Sequence, residues 1–447
     1  MHALLLALVL RSVPLQDQAP GGAPARWTQA ELEELSAEIA EQVADLRGWE
    51  FKAPVAVRVT DAVGFLKYAK ERGERMGSKE QERRDEAVAK LLGLLAPEYD
   101  VEKEAEKLLA SQVGGFYDPG ADTFFLMERF TGGIAKVILA HELTHALDDQ
   151  HFDLDAGIAR TQALGTDAGF AYAALVEGSG TLAMGQWALG NMGELTMEDL
   201  EQAGSMGAEE LAAAPPYLWK PLVGAYMLGQ IFLYTGQKVP DSVRFAFEHA
   251  PRSSEQILHP EKYWQEEARD EPLTLAFELA GVPAGWSVLG QDTLGELLLA
   301  LATTPPSERK GLDVKDARAL MATKYTNPSA SGWGGDRALL LGRGDERRLE
   351  LVTVWDSEQD AREFAAAFEP ILAGLIPAGR ARSGASWRAG FTPTGYRIAA
   401  NVGPAEVAAR SVLVTIVSSS AAAASEEAAW LAPEARTAWS VKAASAR

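Results

Sequence analysis

Residues 137–155 read VILAHELTHALDDQHFDLD and hold three of the chain's six histidines, His141, His145 and His151, at relative positions 0, 4 and 10. On a helix, residues four apart lie about 40° apart around the axis. His141 and His145 therefore project side by side and can grip one ion through imidazole nitrogens. Glu142 stands one step round, where it can take a proton from a metal-bound water. Zinc brings the pKa of such a water towards neutrality, and a carboxylate beside it completes the machinery for hydrolysing a peptide bond. The run IAKVILA leads straight into the histidines, as a buried active-site helix requires.

The third ligand is less direct. His151 has the spacing of zincins whose motif runs His-Glu-x-x-His-x-x-Gly-x-x-His, in which the glycine breaks the helix and returns the last histidine to the metal. Here that position is Asp148. If the helix continues, His151 sits about 80° from His141 and about 15 Å further along, out of reach. Asp tolerates the left-handed conformation less easily than Gly, so the better expectation for His151 is a polar residue near the helix end. Glu177, in ALVEGSGT on a predicted second helix, is the stronger candidate. Ala174, Gly178, Thr181 and Gly185 give that helix a face of small residues, which lets two helices approach closely. Asp148 and Asp149 are candidates to accept the second N–H of the metal-bound imidazoles.

The elements that must position these residues follow from periodicity and capping. WTQAELEELSAEIAEQVADLRGW predicts a helix opened by Thr28, with a Glu three positions on. APVAVRVTD is a short strand, and GGFYDPGADTFFLME predicts a β-hairpin just before the histidine helix, itself expected from about Gly133 to about Gln150. WSVLGQDTLGELLLALATT is expected to be helical. SGWGGDRALLLGRGDERRLELVTVW then predicts two strands, DSEQDAREFAAAFEPILAGL a capped helix, and YRIAANVG and RSVLVTIVSS further strands.

Composition bounds the rest. A chain of 447 residues exceeds what one core usually serves. Its net charge of −21 argues against nucleic acid as the main partner. With no cysteine, any metal must be held by His, Asp and Glu. The apolar run Ala3–Leu10 suits a signal peptide and predicts export, periplasmic or extracellular, with Ala23-Pro24-Ala25 as a cleavage site. No stretch is long and apolar enough to predict a membrane span.

His141, Glu142, His145 and a downstream Glu177 on a second helix resemble the gluzincins, the thermolysin-like branch of zinc metallopeptidases. The segments GGFYDPGADTFFL, HELTHALDDQHFDL, ALVEGSGT and PRSSEQILHPEKY are similar to a largely uncharacterised family of bacterial secreted or lipoprotein-type metallopeptidases. The resemblance covers roughly residues 30–285, and GWGGDR with VWDSEQDAREF suggests that it extends into the tail. It implies one zinc per chain, peptidase activity on a peptide or protein substrate, and a mainly helical half that carries the metal. Ser179 departs from the more acidic residue expected after the ligand, which puts the outer contacts of the site in doubt. Gluzincins stabilise the reaction's oxyanion with a downstream Tyr or His. His259 in ILHPEKY is the first choice, Tyr263 and Tyr226 weaker ones. The resemblance also implies that the hairpin ending in TFFLM forms a sheet edge to which a peptide adds as a strand.

The expected fold is α+β. A leader and linker occupy 1–27, a mainly helical zincin-like domain with a small sheet 28–285, a helical linking segment 286–330 and a small α+β domain 331–447. The expected function is zinc-dependent peptide hydrolysis through Glu142. Two alternatives remain open: a metzincin-like site that uses His151, and a non-catalytic extracellular binding protein stabilised by zinc.

Overall fold

The computed structural model describes residues 27–442, except 62, 66, 69–78, 113, 200–207, 237, 240, 314–316, 377–381, 385–386, 390–393 and 419–435. The expected leader and linker lie outside the described residues. The fold is α+β. Among the described residues, no helix is long and apolar enough to cross a membrane.

Helix α1 (Gln29–Arg47) opens with the expected box: the Thr28 side chain accepts from the Glu31 N–H, and Glu31 accepts from the Thr28 N–H. Gly48, at φ +65°, ends it. Strand β1 (Ala56–Thr60) runs parallel to β3 (Thr123–Met127), which pairs antiparallel with β2 (Gly115–Asp118). The hairpin forms as the Asp-Pro-Gly turn predicts, with the Asp118 carboxylate accepting from the Gly120 N–H at 3.1 Å. In the order β1-β3-β2, however, TFFLM is the central strand. The hairpin's other strand, β2, is the edge.

Helix α2 (Gly132–Phe152) carries the histidines and runs unbroken through Asp148. Its apolar residues face every side, from Ile134 and Leu139 to Leu143 and Leu147, because it is enclosed by the small sheet, α1 and helix α3 (Thr166–Gly190). Helix α4 (Pro216–Thr235) packs against α3, and the short α5 (Ser254–Leu258) touches both.

Beyond Leu275 the chain builds a seven-stranded sheet, preceded by β4 (Leu275–Phe277). Its strands are β5 (Ser287–Asp292), β6 (Trp333–Arg343), β7 (Glu346–Trp355), β8 (Arg382–Gly384), β9 (Trp387–Ala389), β10 (Thr394–Ala400) and β11 (Ser411–Ser418). They lie in the order β5-β6-β7-β11-β10-β9-β8, every neighbouring pair antiparallel. Residues 287–292 are thus a strand, where a helix was expected. The open edge of β6 offers them a ladder, and the helix of that segment, α6 (Gly295–Thr303), begins only after Thr293.

Helix α7 (Glu358–Gly374) covers one face of the sheet. Leu340, Leu349 and Leu351 on that face share one apolar core with Leu139 of α2 and Leu175 of α3. On the opposite face Leu339, Val352 and Leu413 pack under β4 and its partner β12 (Trp439–Val441). The two halves of the chain are therefore joined by core.

Aspartates fasten that junction. Asp336 accepts from the N–H groups of Leu294 and Gly295 at the start of α6, both at 2.8 Å, and from Trp333. Asp167, 2% exposed, accepts from the Ser254 N–H at 2.8 Å. Burial pushes the Asp167 carboxyl up to about 8; the Ser254 hydrogen bonds oppose this, and the charges of Asp336 and Asp292 add to it. The folded chain thus favours the protonated acid. That contribution is complete below the unfolded acid's pKa of about 3.9 and is lost as pH rises through the folded value. Asp167→Asn keeps an acceptor for Ser254 and is neutral throughout. It should raise the melting temperature at pH 9, with the gain fading towards pH 4. A difference that stays flat across this range would refute the assignment.

Candidate metal centre

Three side chains converge from α2 and α3. His141 Nε2 lies 3.2 Å from Glu177 Oε2 and 2.9 Å from His145 Nε2, and His145 Nε2 lies 3.6 Å from the same Glu177 oxygen. All three donor atoms fall within 4.8 Å of one another. Ligands of a tetrahedral divalent cation with bonds near 2.1 Å are separated by about 3.4 Å, so this donor set fits such an ion. The imidazoles are only 8% and 10% exposed, whereas Glu177 keeps 28%, so the approach from solvent lies on the Glu177 side.

The electrostatics favour positive charge at this point. Burial alone would neutralise His145, but its hydrogen bond to Glu177 and the charges of Glu177, Glu142 and Asp148 hold it up to about 9. Glu177 is held well below the usual carboxylate range, its burial outweighed by the two imidazoles. Glu142 is raised, burial and Glu177 prevailing over the histidines and the Tyr117 N–H.

Glu142 is anchored on the small sheet. The Tyr117 N–H on β2 donates to its Oε2 at 2.8 Å, while the Tyr117 hydroxyl reaches Asp149 at 2.9 Å. One residue of the edge strand therefore clamps α2 at two points about two turns apart.

Successive residues from Glu177 to Gly180 meet different neighbours. A Cβ on Gly178 would fall 2.2 Å from the carbonyl carbon of Gly229, and one on Gly229 1.8 Å from the Ala174 oxygen. The small face expected to meet the histidine helix is thus pressed against α4 instead. The approach to α2 is made by Gly180, where a Cβ would lie 2.7 Å from His141 Cε1 and 2.8 Å from His145 Cε1. Gly180 is three residues past Glu177 and shares its side of the helix, a signal the sequence did carry. Gly185 is roomy, its nearest neighbour Gln230 Nε2 at 3.8 Å.

Ser179, flagged as a departure, donates to Asp148 and accepts from Arg47 at 2.9 Å. Asp148 also pairs with Arg47, both side chains buried at 0% and 1%. Neither expected acceptor serves the imidazoles: Asp148 is occupied by Arg47 and Ser179, Asp149 by Tyr117 and the Leu154 N–H. His141 Nδ1 and His145 Nδ1 make no hydrogen bond.

The remaining candidates separate. His151 is carried away by the unbroken helix and bonds the Glu50 carbonyl at 3.0 Å, its ring 5.5 Å from Trp49. His259, the first choice for an oxyanion donor, is engaged elsewhere: its Nε2 lies 3.0 Å from the fully buried Glu296 of α6. Tyr263 donates to the His249 carbonyl at 2.7 Å. Tyr226 is the aromatic residue brought to the cluster. Its ring stacks on His141 at 5.8 Å and 20°, and its hydroxyl interacts with Glu177. Burial, with the charges of Glu177 and Glu142, keeps that phenol protonated.

A family model described as a domain of unknown function (DUF8575) matches residues 286–429, the part of the chain that follows this cluster. No curated protein and no solved structure matches the chain.

Two substitutions probe this geometry. Gly180→Ala should displace both imidazoles and cost most of the metal affinity, measured by chelator competition, while Gly185→Ala should leave affinity intact and stabilise the helix by up to about 1 kcal/mol. Equal affinities in the two variants would contradict the arrangement. Arg47→Ala leaves Asp148 buried without its partner and should cost about 3–5 kcal/mol in urea unfolding. A loss below about 1 kcal/mol, the range of surface pairs, would mean that Asp148 is not a buried charge.

Proposed function

We propose that the chain is a gluzincin-type zinc metallopeptidase that acts on peptide or protein substrates. The observation that carries this reading is the convergence of His141, His145 and Glu177 beside a separately anchored Glu142. Two imidazoles and one carboxylate, in a chain without cysteine, leave a fourth position for water or substrate; that is the pattern of catalytic rather than structural zinc. Zinc, when bound, supplies a Lewis acid that acidifies a water and draws electron density from a carbonyl.

The chain's own residues account for the rest. Glu142 accepts the proton of the attacking water and returns it to the leaving amine. The Tyr117 N–H holds one of its oxygens, so the other is free for that transfer. Tyr226 replaces His259 as the donor to the oxygen that gains charge when the carbonyl is attacked. The outer edge of β2, apart from the Tyr117 N–H that Glu142 occupies, offers backbone groups to an extended peptide. Export is proposed on the apolar run Ala3–Leu10.

Elemental analysis should find one zinc per chain, lost in Glu177→Ala and kept in His151→Ala. Glu142→Gln should keep the zinc and lower kcat on a casein or peptide-library substrate by about 10²–10⁴. Tyr226→Phe should lower kcat by about 10²–10³ with little change in KM. Stoichiometric zinc with no hydrolysis of any peptide would leave a binding protein in place of an enzyme.

A further inference from the structure

We propose that the 286–429 segment is a positioning element for the metal site, acting through Asp292, which caps the Glu177-bearing helix from outside it. The inference rests on the metal reading given above. At the start of α3 the N-cap residue is Gly165, which has no side chain to satisfy the first N–H groups and stands at φ +128°. Asp292 takes over that task. Its Oδ1 accepts from the Thr166 N–H at 2.7 Å and its Oδ2 from the Thr166 hydroxyl at 2.6 Å, while the Thr293 carbonyl accepts from the Asp167 N–H at 3.0 Å. Gly165 is required for this docking, because a Cβ there would fall 2.8 Å from Asp292 Oδ1 and 2.9 Å from the Thr293 nitrogen. The cap and the helix it serves are 126 residues apart in the chain.

Helix α3 needs an external clamp because of what the site asks of it. Gly169, Gly178, Gly180, Gly185 and Gly190 lie within it, and glycine is the poorest helix former after proline. Two of these glycines are fixed by function: Gly178 admits α4, and Gly180 admits the imidazoles. At those two positions, on either side of Ser179 and beside Glu177, the helix cannot be stiffened by a better helix former. Its order has to come from packing and from its ends.

The PRSSEQILHPEKY segment forms a bracket around the same docking point. The Ser254 N–H donates to Asp167 on the first turn of α3, and the Ser254 hydroxyl accepts from the Leu297 N–H of α6 at 3.2 Å. His259 reaches Glu296 on α6, and Lys262 reaches Asp356 at the end of β7 at 3.1 Å. This segment, in which an oxyanion donor was expected, instead ties the first turn of α3 to the 286–429 segment. The start of α2 is likewise capped from a distance, by Asp199 on the Ile134 N–H at 2.9 Å.

The test compares Asp292→Ala, Asp292→Asn and Leu413→Ala in the full chain. Leu413 is buried on the far face of the sheet, so its truncation lowers stability without touching α3. Zn²⁺ affinity is measured by competition with a chromophoric chelator, and amide exchange along α3 is measured in metal-free protein. Asp292→Ala is expected to weaken Zn²⁺ binding about tenfold or more, the lower end of what loss of an outer-shell partner costs, and to speed exchange from Thr166 through Gly180. Asp292→Asn, which retains a capping oxygen, should stay close to wild type, and so should the Zn²⁺ affinity of Leu413→Ala. Faster exchange confined to the first turn with unchanged affinity would overturn the proposal, as would an equal loss of affinity in Leu413→Ala. A wild-type chain that takes up no Zn²⁺ while Asp292→Ala still loosens the whole of α3 would overturn the metal reading and leave the clamp standing.

Discussion

One buried charge pair sets the geometry of the centre. Arg47 ends α1, Asp148 lies three residues past His145 on α2, and Ser179 lies two past Glu177 on α3. Burying either charge alone would be costly, so the pair must close, and its closure holds three helices at one point. Because Asp148 and Ser179 sit within one turn of His145 and Glu177 respectively, fixing them fixes the rotation of both helices. The Arg47 nitrogens that make no hydrogen bond belong to a guanidinium lying 4.5 Å from the centre of the Trp49 ring, which Arg244 approaches at 4.8 Å. The cation is thus held by an aromatic ring as well as by its anion.

Around that point the fold trades helix propensity for proximity. Gly178 against Gly229 brings α4, with Tyr226, up to the site, and Gly180 leaves room for the imidazoles. A bulkier α3 would be a better helix and would hold Glu177 too far from His141. The small sheet performs the complementary task, since Tyr117 grips Glu142 through the backbone and Asp149 through its hydroxyl. Glu142 shares α2 with His141 and His145, and its carboxylate has an anchor of its own on the small sheet.

The joined core explains how the second half of the chain comes to matter to the first. Leu349 and Leu351 of β7 belong to the same apolar cluster as Leu139 of α2. Polar contacts at its margin, Asp292 on α3 and Asp336 on α6, lie where backbone N–H groups would otherwise be buried without partners. The matched domain of unknown function therefore shares a core with the helices that carry His141, His145 and Glu177.

What the sequence by itself determined is what lies within a few residues along the chain. The four-residue spacing of His141 and His145, the Thr28–Glu31 box, the Asp-Pro-Gly hairpin and the strands β6, β7, β10 and β11 follow from local periodicity, capping and turn chemistry, whereas the short β8, β9 and β12 carried no such signal. Tertiary structure decided the rest. Gly180, not the Gly178 face, meets the imidazoles, because the rotation of α3 is set by Asp148 and Arg47, 31 and 132 residues from Ser179. Tyr226 reaches His141 while His259 turns to Glu296, since a histidine before a proline can be aimed but its target lies on another element. Residues 287–292 became a strand because β6 presented an open edge, something no window of that segment contains. Contacts between distant parts of a chain leave no period in the sequence. They exist only once the core has brought those parts together.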